Sequence, residues 1–459
     1  MSSHLLRTAK DEGLLRDVDC HFARHLLQIA DEKSESLELA AALVSAALGA
    51  GHVCLNLKDA VVRGALAPPP LQQWCDTLRS SGVVGAEGEV APLILDRAHR
   101  LYLGRYWWYE QEVATALRLR AEAEGVAIDL PLLRNSLNQL FPDEEGETEY
   151  NWQKIAAAIA VLRRFAVISG GPGTGKTYTV TAILALLLEQ SGEAELRIAL
   201  VAPTGKAAAR LSESIRVAKE RLSLPEAVMS AIPDTATTIH RLLGIHPDRN
   251  EPRYHHQNRL PLQLLVVDEA SMIDLPLMAR LLRALPEQAR LLLLGDRDQL
   301  ASVEAGSIFA DITGSSDETG YRHPLSLQLQ EVIGRDLTTT TPPRSSVTES
   351  VVLLRKSYRF GDDSAIGRLA LAVNRGDSDG AFAALQEAAG DVVWSEPPPQ
   401  GVARAVATEV KDHFAALSSA VSIEEALARL AAFRLLCVVR RGPFGVEETN
   451  HQIEQLLRE

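Results

Sequence analysis

Residues 168–180, ISGGPGTGKTYTV, constrain the fold of this chain more than any other stretch. They carry Gly170, Gly171, Pro172, Gly173, Thr174, Gly175, Lys176 and Thr177, which fit the pattern Gly-x4-Gly-Lys-Thr. An apolar run precedes the pattern and a helix-forming run follows it, the context a phosphate-binding loop needs. The glycines let backbone N–H groups curl around a β-phosphate beside the positive end of a helix. Lys176 is placed to reach the β- and γ-phosphates, and the Thr177 hydroxyl suits Mg²⁺. The loop therefore predicts a site for ATP and Mg²⁺ on an α/β scaffold.

The texture around the loop supports that scaffold. FAVISGG, LRIALVAP, LQLLVVDEAS and ARLLLLGD are short apolar runs, each followed by a helical segment except the last. Unalternating apolar runs mark strands covered on both faces of a parallel sheet. Residues 151–311 therefore read as one doubly wound α/β domain. Residues 1–110 read as a mostly helical domain for docking a partner, with LLRDVDCHFARHLLQIADE and ESLELAAALVSAAL spaced as helices. LELAAALVSAALGAGHVCLNL reads as a buried helix running into a strand rather than a membrane span. Residues 111–150 read as connecting helices and an acidic linker, FPDEEGETEY. Residues 312–350 read as a polar, low-complexity insertion. From 351 to 459 helical texture resumes, and FRLLCVVRRG reads as a buried strand opening a second, partial α/β domain.

Composition narrows the function classes. The net charge of −13 argues against a protein that coats nucleic acid with its whole surface, and leaves room for a local basic groove. Four cysteines without a CxxC pairing read as reduced thiols of a cytoplasmic protein. No leader with a basic start and apolar centre opens the sequence, so no secretory signal is expected. Tyr102, Tyr106, Trp107, Trp108 and Tyr109 cluster in a chain with 5% aromatics; they form either a core plug or a platform for stacking bases.

The remaining chemistry sits at strand ends. Asp268 and Glu269 close the run LLVVDEAS, beside the phosphate loop in this kind of sheet. Asp268 is expected to hold Mg²⁺ and Glu269 to orient and deprotonate the attacking water. Gln299 in LLLLGDRDQL is expected to touch the γ-phosphate, with Gly295 and Asp296 shaping the turn. In VAPTGKAAARL, Thr204, Gly205 and Lys206 lie at a strand-to-helix turn whose N–H groups suit a nucleic-acid phosphate. Thr238 and His240 in TTIHRLLG offer a similar turn. Gln153, just ahead of the phosphate-loop strand, has the amide to read N7 and N6 of adenine, or is a surface glutamine.

Gln153, residues 170–177, APTGKAA, DEAS, GDRDQL and SYRF occur in the order and spacing of superfamily 1 helicases. GHVCLNL, LYLGRYWWYE and GPFGVEETNHQIEQLL narrow the match. With them the whole chain resembles the RecD family, the alpha subunit of exodeoxyribonuclease V of the RecBCD type. The resemblance implies a RecA-like P-loop domain followed by a partial second one. It also implies an ATP-driven 5′→3′ motor on single-stranded DNA at duplex ends, assembled with RecB-like and RecC-like subunits. It assigns Arg359 of SYRF to the γ-phosphate, and Pro203, Thr204, Lys206, Thr238 and His240 to the DNA path. The family carries further motifs that nothing after Phe444 resembles, so this chain by itself is expected to bind ATP·Mg²⁺, hydrolyse it feebly and fail to unwind DNA. Two other readings stay open: a nucleotide-dependent scaffold subunit without motor activity, and a helicase of the same superfamily acting alone.

Overall fold

The computed structural model describes residues 4–60, 68–123, 128–142, 150–192, 195–222, 224–246, 248, 251–302, 304–314, 320–335, 337, 345–359, 364–387, 391–396 and 402–458. The chain divides into two compact units, Met1–Phe360 and Gly361–Glu459.

The N-terminal part of the first unit joins helices Asp17–Ala30 and Glu35–Gly49 to a small sheet of β1 (Cys54–Asn56), β2 (Val84–Gly85), β3 (Leu93–Leu95) and β4 (Arg100–Leu103), in the order β1-β4-β3-β2. The alanine-rich run does form a helix that leads into a strand. Ser34 caps that helix, its hydroxyl accepting from the N–H of Leu37 at 3.2 Å. Among the described residues no helix is long and apolar enough to cross a membrane. The region is helical as expected, with a small sheet added; its four strands have four residues or fewer and carry no clear alternation, so the sequence does not announce them.

The long helix Gly104–Glu122 follows β4 directly and packs on helix Leu275–Ala284 of the nucleotide-binding domain. It is part of that domain rather than a connector. Tyr102, Tyr106 and Trp107 are buried, which makes the aromatic cluster a core plug; Trp108 alone reaches 37% exposure. The acidic stretch 143–149 lies outside the described residues.

The main sheet has six strands, all parallel: β5 (Phe165–Gly170), β6 (Ile198–Ala202), β7 (Thr237–Thr238), β8 (Leu264–Val267), β9 (Arg290–Gly295) and β10 (Val351–Leu354). Their order is β10-β5-β9-β8-β6-β7. Helices cover both faces, so Val167, Ile168, Leu265, Val266 and Leu293 are fully buried. β10 pairs with β5 through Val351 to Leu354. The first domain's sheet thus includes a strand from beyond residue 350, and the expected boundary at 351 falls inside the sheet.

The stretch 312–350 is not wholly an insertion. Helix Leu325–Ile333 buries Leu325, Leu329 and Val332 against helices Leu130–Leu140 and Trp152–Leu162. Polar flanks hid that i, i+4, i+7 stripe; residues 315–319 and 338–344 lie outside the described set.

The second unit contains helices and, among its described residues, no strand. Residues 433–442, read from sequence as a strand, take no ladder partner, and Leu436 and Val438 are exposed. A strand needs another strand's N–H and C=O groups, and the described part of this unit supplies none.

Candidate functional site

The phosphate loop leaves β5 and enters helix Lys176–Ser191 at the sheet's C-terminal edge. Gly173 and Gly175 have φ of 79° and 80°, a conformation that side chains resist. Space is also closed: a Cβ on Gly173 would lie 2.4 Å from Cβ of Arg359, and one on Gly175 would lie 2.2 Å from Nε2 of Gln153. The Thr174 hydroxyl donates to the carbonyl of Gly171 at 2.9 Å and closes the loop internally.

Lys176 folds back over the loop. Its ammonium donates to the carbonyls of Gly170 and Gly171, contacts that phosphate oxygens would replace. Burial pushes its pKa below the usual lysine value; the charges of Asp296, Asp268 and Glu269 oppose that shift.

Asp268 and Glu269 follow β8, one strand beyond β9 in the sheet. Burial lifts the Asp268 carboxyl to about 6; the negative charge of Glu269 adds to the shift, while the Glu269 N–H, Lys176 and Arg210 work against it. Glu269 adopts φ 51°, ψ 42°, a left-handed conformation that costs a non-glycine residue and is often stored at functional turns. The Ser271 hydroxyl, two residues on, is buried without a hydrogen-bond partner.

β9 lies beside β5, and its following turn brings Asp296 and Gln299 to the loop. The Arg297 N–H donates to the Ser169 hydroxyl at 3.1 Å, tying that turn to the phosphate-loop strand. From the other side, residues 355–359 leave β10 and cross the loop. The Tyr358 N–H donates to the Gly173 carbonyl at 2.8 Å, and the Ser357 hydroxyl reaches the Pro172 carbonyl at 3.4 Å.

These segments enclose a cleft of about 600 Å³ whose walls include Lys176, Thr177, Asp268, Glu269, Gln299 and Arg359. Residues spread over almost 200 positions of sequence thus meet because parallel strands all end on one edge. Gln153 does not line that cleft; its Nε2 donates to the Thr174 carbonyl at 3.1 Å.

The predicted nucleic-acid turns occupy the far side of the same edge. Thr204 caps helix Gly205–Arg221 by accepting from the Ala207 N–H at 3.2 Å. Thr238 caps helix Ile239–Leu243 in the same way, accepting from the Arg241 N–H. Ala202 pairs with Thr238, so Pro203, Thr204 and Lys206 lie next to Thr238 and His240. Thr204, Lys206 and His240 are exposed.

Sequence reading missed Tyr358 and Arg210 as cleft residues. Tyr358 lay within a motif already singled out. Arg210 belongs with Ser214, Val217 and Arg221, whose spacing of four, three and four places them on one helix face along the cleft.

Sheet order, loop and cleft define a P-loop nucleotide-binding domain, and its relatives place the chain among ATP-dependent DNA helicases of superfamily 1. The family model for an AAA domain matches residues 153–305, and the model for the N-terminal domain of RecBCD enzyme subunit RecD matches residues 11–102. RecBCD enzyme subunit RecD of Mycolicibacterium smegmatis is 38% identical over 460 residues, covering 97% of this chain and 73% of that protein. The subunit from Mycobacterium tuberculosis is 38% identical over 468 residues, covering 100% of this chain and 73% of the relative. The ATP-dependent RecD2 DNA helicase of Deinococcus radiodurans is 45% identical over a shorter span of 143 residues, 31% of this chain and 17% of that protein. The chain belongs to the RecD family.

Proposed function

We propose that this chain couples ATP hydrolysis to 5′→3′ movement on single-stranded DNA, as the RecD-type subunit of a heterotrimer with RecB-like and RecC-like partners in the cytoplasm. The observation that carries the reading is the single cleft shared by Lys176, Thr177, Asp268, Glu269, Gln299 and Arg359.

The residues fit Mg²⁺. The donor set is a hydroxyl, Thr177, and a carboxylate, Asp268, which leaves room for phosphate oxygens and water around a hard cation. A carboxyl lifted to about 6 by burial gains most from a neighbouring cation. Bound there, the ion would offset phosphate charge. Lys176 holds the β- and γ-phosphates. Glu269 orients the attacking water and takes its proton. Arg359 stabilises the charge that builds on the γ-phosphate, and Gln299 senses that group. Gln153 gives one of its two amide N–H groups to the Thr174 carbonyl, which leaves the other for N7 and Oε1 for the amino group of adenine, and disfavours guanine, whose O6 is an acceptor.

The paired turns at Pro203, Thr204, Lys206, Thr238 and His240 hold DNA phosphates. This suits an acidic chain: the contacts are few, local and made largely through helix N-termini. Residues 361–459 belong, in this reading, to a second RecA-like domain. The chain alone binds ATP·Mg²⁺ and unwinds poorly, and assembly with its partners supplies the activity. Unwinding of a duplex with a 5′ single-stranded end by the assembled heterotrimer tests this. A Glu269→Gln subunit should remove the 5′→3′ component and spare the assembly. Unchanged 5′→3′ movement with that variant would reject the assignment.

A further inference from the structure

Asp296 is buried, with 5% exposure, yet the mechanism above gives it no role. Its two oxygens are both engaged. One accepts from the Asp298 N–H at 3.1 Å and fixes the turn after β9. The other accepts from Nε2 of Gln299 at 3.3 Å. The carbonyl of Asp296 also accepts from the Gln299 N–H at 3.3 Å, so residue 299 is held by backbone and side chain together. The neighbouring turn is anchored to β5 through Ser169. Asp296 therefore sits between the glutamine expected to meet the γ-phosphate and the strand that carries the phosphate loop.

We propose that Asp296 is a positioning residue that stands in for the γ-phosphate when the cleft holds none, parking the Gln299 amide and placing negative charge near Lys176. This rests on the ATP site assigned above. When a triphosphate enters, its oxygens take over both groups and Asp296 gives up the Gln299 amide. Two consequences follow. The carboxylate repels the incoming phosphates, which keeps nucleotide affinity low enough for release. It also sets the starting position of the γ-phosphate sensor, which favours turnover. The support for a field at Lys176 is geometric: Gly295 pairs with Ser169, so Asp296 follows beside Gly170, whose carbonyl accepts from the Lys176 ammonium.

Affinity and turnover should move in opposite directions when the charge is removed. Asp296→Asn is nearly isosteric and retains an oxygen for the Asp298 N–H. It should tighten ADP·Mg²⁺ binding to the 459-residue chain by on the order of tenfold, since a nearby like charge has gone. Single-turnover ATP hydrolysis should fall by about tenfold as the sensor loses its seat. Asp296→Glu, which keeps the charge and moves the oxygens, should leave ADP affinity unchanged and still slow hydrolysis. Gln299→Ala should make the hydrolysis loss of Asp296→Glu non-additive, and this pair carries the test if Asp296→Asn does not fold. A purely structural role would weaken binding and hydrolysis together, and that outcome overturns the proposal. Unchanged ADP affinity in a folded Asp296→Asn also overturns it, while wild-type binding shows the ATP site itself to be sound. A wild-type chain that binds no ADP·Mg²⁺ overturns both.

Discussion

Leu293 and Leu436 both lie in apolar runs that read as buried strands, LLLLGD and FRLLCVV. Leu293 is 0% exposed in the middle of a parallel sheet, and Leu436 is 87% exposed. The same residue type in the same local pattern ends in opposite environments. β9 finds β5 on one side and β8 on the other, and helices cover both faces. Residues 433–442 find no ladder among the described residues of their unit. An apolar run thus proposes a strand, and only neighbouring backbone decides it. The cores differ to match. Unit Met1–Phe360 buries leucine, isoleucine, valine and phenylalanine in layers on both faces of the sheet. Among the described residues of Gly361–Glu459, the buried apolar side chains are Ala365, Ala372, Ala384, Ala403 and Val410. At roughly 25 cal/mol per Å² of buried apolar surface, alanines contribute little. The unit that is well packed is the one that must hold six cleft residues in register.

The largest expected effect is on the cleft. Lys176→Ala should weaken ATP·Mg²⁺ binding by about a hundredfold or more, because the lysine charge at the phosphates goes while the sheet is untouched. Isothermal titration is the check, with Arg429→Ala in the second unit as the variant that should change nothing. Equal losses from both would erase the distinction between the units.

Next comes packing. Leu293→Ala should cost about 3–4 kcal/mol in urea unfolding, with a cavity left between rigid layers. Leu436→Ala should stay within about 0.5 kcal/mol, as for exposed sites generally. A large cost at Leu436 would place that side chain in a packed core and erase the contrast with Leu293.

A site built for a cation should be a weak point without one. Asp268 is lifted from 3.8 to about 6, roughly two units at about 1.4 kcal/mol each. The native carboxyl therefore holds its proton where the unfolded one has lost it. The metal-free chain loses stability as pH rises from 3.8 to about 6, and the full penalty remains above that. Asp268→Asn should stabilise the metal-free chain by about 1–3 kcal/mol at pH 7.5 and by nearly nothing below pH 4. Thermal unfolding in EDTA across that range measures it. Destabilisation at pH 7.5 would show that Asp268 is satisfied within the protein and needs no metal.

The smallest effect is dynamic. Backbone amides of helix Ala365–Arg375 should exchange hydrogen faster than those of Val167 and Ile168 in β5, because few large side chains hold that helix down.

Much of this contrast was legible in the sequence, and the rest was hidden for physical reasons. The phosphate loop, Asp268, Glu269 and Gln299 could be read because strand ends in a parallel sheet share one edge, whatever their distance in sequence; Arg359 came only from the family resemblance. β10 could not be assigned to the first sheet, since strand order is set by crossover packing and leaves no mark in the strand itself. Leu325, Leu329 and Val332 were masked by polar neighbours. Arg210 was invisible until its helix had a direction. Gln153 was read as facing adenine; one of its two amide N–H groups also holds the loop at Thr174, which no spacing rule reports.

The central claim is that this cleft is the ATP site of a DNA motor. The most direct measurement is an equilibrium titration of the chain with a fluorescent ATP analogue and Mg²⁺, with and without a single-stranded oligonucleotide. Saturable, Mg²⁺-dependent binding is expected, abolished by Lys176→Ala and shifted several-fold by DNA, with the same factor appearing when the order is reversed, as linkage requires. Binding that ignores Lys176, or that is identical with and without DNA, would contradict it.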